Sequence, residues 1–179
     1  RIEVFSGASA IYGGGSSGGI INIITKKGAD AGELSGETWF GVSSGGNSSE
    51  DLAYQVAQSV SMKNDKMDAR LAISYDQTGA SYDSNGDMVL QDPTQTTSQY
   101  VSQIDIMATA GFNLSNTKRV DLMAQYYNSA QDSDYGIDYG SNYAYYYSED
   151  DIEMVDGYNL DDQASTERLM ATAEYNDND

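Results

Sequence analysis

The stretch "MDARLAISYD", Met67 to Asp76, alternates without a break. Met67, Ala69, Leu71, Ile73 and Tyr75 fall on one side, and Asp68, Arg70, Ala72, Ser74 and Asp76 on the other. A period of two sends successive side chains to opposite faces of a strand, so this stretch predicts a strand with one apolar and one largely polar face. The same period continues in both directions. Before it, Leu34, Thr38, Phe40 and Val42 oppose Glu33, Ser35, Glu37 and Trp39, and Leu52, Tyr54, Val56, Val60 and Met62 oppose Ala53, Gln55, Ala57, Ser59 and Ser61. After it, Ile104, Ile106, Ala108, Ala110 and Phe112 oppose Gln103, Asp105, Thr109 and Asn113. Val120, Leu122, Ala124 and Tyr126 oppose Asp121, Gln125 and Tyr127; Leu169, Ala171, Ala173 and Tyr175 oppose Arg168, Thr172 and Glu174. Six strands are predicted.

The connections alternate too. "KNDK" (Lys63 to Lys66) and "SNTK" (Ser115 to Lys118) read as tight turns, whereas Thr78 to Ser98 and Asp132 to Ser165 are long, polar and acidic. The Gly/Ser-rich link from Ser44 to Glu50 is shorter but lies on the long-loop side. Tight turns at one end and long loops at the other are the layout of an antiparallel transmembrane β-barrel, whose strands run about 9–11 residues. A soluble sandwich also alternates and is the competing fold. The barrel is favoured by ionisable groups at successive polar-face positions and by Tyr54, Tyr75, Tyr126 and Tyr175 near strand ends on the apolar face, where an interfacial girdle belongs.

Composition excludes several classes. The 179 residues carry a net charge of −19, which argues against nucleic acid, since phosphate binding needs clustered Lys and Arg. There is no Cys, so disulfide frameworks and thiolate metal sites are out. No apolar run approaches the roughly 20 residues of a membrane helix. "DSNGD" (Asp83 to Asp87) has calcium-type oxygens, but Met88 stands where an EF-hand loop needs glycine. Solvation is the expected role of the acids, and no metal site or cofactor is predicted. Paired carboxylates for hydrolysis need an enclosed cleft that raises one pKa, and ion pairing explains Glu33, Glu37 and Asp68 with less, so no enzyme is expected.

The chain opens "RIEVFSGASAIYGGGSSGGIINIITKKG", Arg1 to Gly28. A phosphate loop would lead from a strand into a helix, but the glycines lead into the β-branched run Ile20 to Thr25, and no Gly-Lys-Ser/Thr follows. A Gly/Ser linker explains Gly13 to Gly19 but not the apolar segments on either side. With Arg1-Ile2-Glu3, Gly7, Tyr12-Gly13, Gly18-Gly19, Asn22-Ile23 and Thr25-Lys26-Lys27 at their present spacing, the stretch resembles the end of the plug domain of TonB-dependent outer-membrane receptors. "DSNGD" (Asp83 to Asp87), "DPTQTTSQY" (Asp92 to Tyr100), "QIDIMATAGFNL" (Gln103 to Leu114) and "QYYNSAQDSDYGIDYG" (Gln125 to Gly140) resemble the ferric aerobactin receptor branch of that family.

The resemblance implies residues 1–28 as the C-terminal end of a plug, with Arg1, Glu3, Gly7, Tyr12, Gly13, Gly18, Gly19 and Asn22 as its motif. Residues 29–179 become the N-terminal part of a barrel, about six strands of a family total of 22, so a fragment of a longer receptor is expected. It implies a bacterial outer membrane location and import of a ferric siderophore, a hydroxamate–citrate chelate in this branch. The partners implied are outer-membrane lipid and the energy-transducing protein TonB, engaged through a part before Arg1. Import of another nutrient on the same architecture (cobalamin, a catecholate chelate or an oligosaccharide) stays open at this point. Ligand contacts are expected from the loop 132–165, which carries ten acids and no Lys or Arg, through Tyr135, Tyr139, Tyr143, Tyr145, Tyr146 and Tyr147. Trp39 and Tyr127 are expected to face the lumen and contact the plug, and Glu33, Glu37 and Asp68 to meet arginines of the plug. An anionic chelate would be repelled by so acidic a loop unless cations elsewhere dominate the pocket.

Overall fold

A computed structural model of the chain describes residues 2–6, 18–24, 26, 34–90, 99–140, 152–157 and 163–177. Two short strands, β1 (Ile2–Ser6) and β2 (Gly19–Ile23), pair antiparallel as a separate two-stranded unit. The alternating segments become β3 (Leu34–Ser43), β4 (Ala53–Lys63), β5 (Met67–Gln77), β6 (Val101–Asn113), β7 (Lys118–Gln131) and, after the long loop, β10 (Ser165–Asp177). They form one six-stranded antiparallel sheet in the order β10-β7-β6-β5-β4-β3. Every neighbour in the sheet is thus the next strand in the main path of the chain, the up-and-down order of an unclosed barrel wall.

The two tight turns fall where the sequence places them. Asn64 turns the β4–β5 hairpin, its side-chain oxygen accepting from the N–H groups of Lys66 and Met67 at 2.9 Å each. Ser115 plays the same part for β6–β7, accepting from the N–H groups of Thr117 and Lys118. Such local side-chain caps are why Asn and Ser belong at these positions. The long loops are less featureless than expected. Residues 132–165 hold a small hairpin of β8 (Tyr135–Asp138) and β9 (Glu153–Asp156), and an isolated bridge joins Tyr82 to Met88. Four-residue strands are too short to show a period, so local pattern alone reads these segments as loop.

Burial runs opposite to hydrophobicity. On β5 the polar face holds buried Asp68, while Leu71 and Ile73 on the apolar face are 47% and 41% exposed. Phe40, Val60, Leu122 and Leu169 are exposed on the same face, and among the described residues only Ala80 and Val101 are buried hydrophobics. A sandwich would cover this face with a second sheet. Nothing among the described residues does, and an apolar area this continuous marks a surface that meets something other than water. From Met67 to Tyr75 the band runs about 26 Å along the strand, or about 20 Å of height at a tilt of ~40°, close to the apolar girth of a membrane barrel.

The register shows that the edges of the band are oblique. Tyr54 lies opposite Gln77, one row above Tyr75, whereas Tyr126 pairs with Ile106 and Leu169, one row below the Tyr75–Ile104–Asn128 row. Tilted strands cut by a flat interface give such a diagonal. Tyr54 and Tyr75 pack with ring centroids 6.0 Å apart and both hydroxyls donate to the Gln77 side-chain oxygen. One polar pair interrupts the band: Thr38 donates to Gln58 across β3 and β4, and Gln58 donates to the Ser59 carbonyl at 3.2 Å. Each polar atom so placed has found a partner, as a low-dielectric face demands.

Candidate functional site

The polar face is a ladder of side-chain networks. Nearest the tight turns, Arg119 on β7 reaches Asp68 on β5 at 2.6 Å, Asp121 on its own strand at 2.9–3.0 Å and Asn113 on β6 at 2.9 Å. Gly111 makes room for it, since a Cβ there would lie 1.8 Å from an Arg119 guanidinium nitrogen. One row up, Arg70 donates to Ser59 at 2.6 Å and meets Glu37 at 3.5 Å, and Lys26, beyond the β1–β2 unit, meets Glu37 at 3.1 Å. The acids of this face were expected to pair with plug arginines. Among the described residues their partners are instead Arg70 and Arg119 of the sheet itself, with Lys26 the one cation from the preceding segment.

Higher still, the register aligns Trp39, Ala57, Ser74, Asp105, Tyr127 and Arg168 in a single row. Trp39 and Tyr127 therefore share the polar face, as the alternation predicts. The Trp39 ring lies over Gly41, where a Cβ would come within 2.5 Å of it. Asp105 accepts from Gln125 at 2.6 Å, and the Arg168 guanidinium sits 5.5 Å from the centre of the Tyr127 ring.

At the loop end three connections meet. Glu50, from the β3–β4 link, accepts from Tyr100 Oη at 2.8 Å and from Tyr135 Oη at 3.1 Å, and the two rings stack with centroids 5.7 Å apart. The link itself is held by Asp51, which accepts from Ser44 and from the Asn47 N–H; these bonds keep its carboxyl below the usual range. Burial first, and then the bond to Glu50, pushes the Tyr100 hydroxyl well up. For Tyr135 the bond to Glu50 comes first, and the phenol is pushed up from 10.0 to about 12.

A raised phenol pKa means the folded rim prefers the neutral hydroxyl. Its contribution is full below pH 10 and is lost as pH rises through about 12. In the intact protein, Glu50→Gln is expected to return Tyr135 toward 10 while Tyr100, held up chiefly by burial, stays high. A tyrosinate absorbance titration of wild type minus variant should then show one tyrosine's amplitude between the two values; a flat difference would reject the shared carboxylate.

Of the tyrosines expected to contact ligand, Tyr135 is thus committed to this rim, and Tyr139 lies just past β8, 41% exposed. Tyr143, Tyr145, Tyr146 and Tyr147 lie outside the described residues. Of the opening motif, Glu3 and Asn22 pair across β1 and β2, with Asn22 donating to Glu3 at 3.1 Å. Gly19 has φ +152°, and a Cβ there would lie 2.7 Å from the Phe5 carbonyl oxygen, so only glycine fits; at Gly18 a Cβ would meet nothing within 4 Å. Arg1, Gly7, Tyr12 and Gly13 lie outside the described residues. In "DSNGD" the Asp83 carboxylate is taken by backbone, accepting from the N–H groups of Asn85 at 2.8 Å and Asp87 at 3.0 Å, which lowers its pKa and closes a turn. Sequence pattern singles out neither Glu50 nor Tyr100 as members of this rim. Glu50 and Tyr100 lie 50 residues apart, and no local pattern announces their meeting.

No protein-family model matches the chain, and no solved structure matches it. Curated proteins do. The chain is 43% identical over 180 residues to the rhizobactin receptor of Rhizobium meliloti (strain 1021), covering 100% of the chain and 24% of the relative. It is 40% identical over 177 residues to the ferric aerobactin receptor of Klebsiella pneumoniae and 38% identical over 177 residues to that of Escherichia coli. Each of these two alignments covers 99% of the chain and 24% of the relative. The chain spans about a quarter of the length of the curated relatives it matches.

Proposed function

Since the chain is homologous from end to end with a segment of siderophore receptors, we propose that it is the plug–barrel junction of a TonB-dependent receptor importing a ferric siderophore across the bacterial outer membrane. In this reading residues 1–28 end the plug and residues 29–179 begin the barrel. The apolar face meets lipid, the polar face lines the lumen, and the long loops face outward. The ligand is a ferric hydroxamate–citrate chelate, and TonB acts through a segment preceding Arg1.

The observation that carries the proposal is identity of 38–43% sustained over the whole chain to proteins named as siderophore receptors. The inverted burial of the sheet supports it, because an exposed apolar face and a networked polar face are what a lipid-embedded, plugged wall requires. The chemistry asked of the residues is binding. Tyrosines at the mouth, Tyr135 and Tyr139 with Tyr143, Tyr145, Tyr146 and Tyr147 further along the loop, offer broad amphipathic contact surface at low entropic cost.

The test is a titration of the parent receptor in detergent, following intrinsic fluorescence as chelates are added. Saturable quenching by a ferric hydroxamate–citrate complex, without a response to a ferric catecholate or cobalamin, is the expected result. Saturation by cobalamin or the catecholate alone would retain the barrel and replace the ligand.

A further inference from the structure

Burial concentrates at the loop end. Among the described residues, the buried side chains other than Ser59, Ser61 and Asp68 of the sheet gather where the three long connections leave it. They are Asp51 from the β3–β4 link, Ala80, Gln99 and Val101 around the β5–β6 loop, and Gln131 and Ser133 at the end of β7. Glutamine side chains meet the backbone there. Gln99 accepts from the Ser81 N–H at 2.7 Å and donates to the Val89 carbonyl at 3.1 Å. Gln163 accepts from the Ser133 N–H at 2.8 Å and donates to the Ser133 carbonyl at 3.0 Å. A side-chain amide offers the same donor and acceptor as a peptide group, so each glutamine satisfies backbone beyond the end of a strand.

Tyr100 joins the three connections. Its N–H donates to the Gly79 carbonyl at 3.4 Å and its own carbonyl accepts from the Asp132 N–H at 2.9 Å. Its hydroxyl donates to Glu50 at 2.8 Å, and its ring stacks on Tyr135. It does so at φ 52°, and among the described residues every other positive φ belongs to a glycine. A bulky side chain in the left-handed region is strained, and such strain persists only where the surroundings hold it.

We propose that the three loop bases form one cooperative collar, keyed by the strained Tyr100, that opens and closes as a unit. Relaxation of Tyr100 to a negative φ releases its contacts with Glu50, Gly79 and Asp132 together, because one residue makes all of them. A contact that displaces any one connection is thereby passed to the other two.

Amide hydrogen exchange on the intact protein in detergent tests the collar. Gln163→Ala removes a clamp from the third connection alone. Protection at Ala80 and Ser81, in the second connection, is expected to fall by the same factor as at Asp132, about fivefold. Leu71 and Ile106 in the sheet should stay unchanged and show that the variant is folded. Tyr100→Gly and Tyr100→Ala both lose the ring and hydroxyl, but only glycine adopts φ 52° without cost. The glycine variant should therefore keep about fivefold more protection at Ala80 and Asp132 than the alanine variant. A loss confined to Asp132 after Gln163→Ala would mean three independent loops and overturn the proposal. Equal protection in the two Tyr100 variants would remove Tyr100 as its key.

Discussion

Replacing Arg119 with methionine is expected to lower the stability of the intact protein by about 2–3 kcal/mol, read as the midpoint of urea unfolding in detergent. The guanidinium joins β5, β6 and β7 through Asp68, Asn113 and Asp121, and Gly111 and Asp121 are neighbours in one register row with Asp68. Removing it leaves two carboxylates facing each other without a counter-charge. Stranding a fully buried partner costs about 3–5 kcal/mol, and the lower figure used here reflects the exposure of this arginine, whose side chain is 25% accessible. The triple change Arg119→Met, Asp68→Asn, Asp121→Asn should recover most of the loss, because the repulsion goes with the charges. Gly111→Ala should reproduce part of it by pushing the guanidinium aside. A single variant as stable as wild type would mean the network contributes no more than an exposed pair.

Gly79→Ala is expected to open the loop-end rim. A Cβ at position 79 would lie 2.0 Å from the Glu50 carbonyl oxygen and 2.8 Å from that of Leu52, both backbone atoms that no rotamer change can move away. Relief requires the β3–β4 link to shift from the β5–β6 loop, breaking the 2.7 Å bond from the Ala80 N–H to Glu50 O. Glu50 would then withdraw from Tyr100 and Tyr135. Overpacking of this kind costs about 1–3 kcal/mol. The readout is amide hydrogen exchange, with protection at Ala80 lost while that at Leu71 and Ile106 in the sheet persists. Tyr135 should also titrate closer to 10, as in Glu50→Gln. Unchanged protection at Ala80 would show that the link tolerates the methyl group and the rim is looser than its distances suggest.

The strands were legible because alternation is a local property. A residue such as Leu71 announces its face through its neighbours two positions away, and the register then follows from the short turns at Asn64 and Ser115. The polar-face position of Trp39 and Tyr127 was legible for the same reason. What escaped was every contact made across a large separation in the chain. Tyr135 is bonded to Glu50, 85 residues before it. Asp68 was expected to meet the plug, and its partner is Arg119, two strands away.

By itself the sequence determined the six strands, their two faces, the tight turns and the family resemblance of the opening motif, because each of these is written in periods and spacings of a few residues. Only the tertiary structure decided which charges cancel, where Arg168 stands relative to Tyr127, and how the three loops meet at Glu50. Those outcomes depend on strand register and loop closure, which bring together side chains that no local pattern relates.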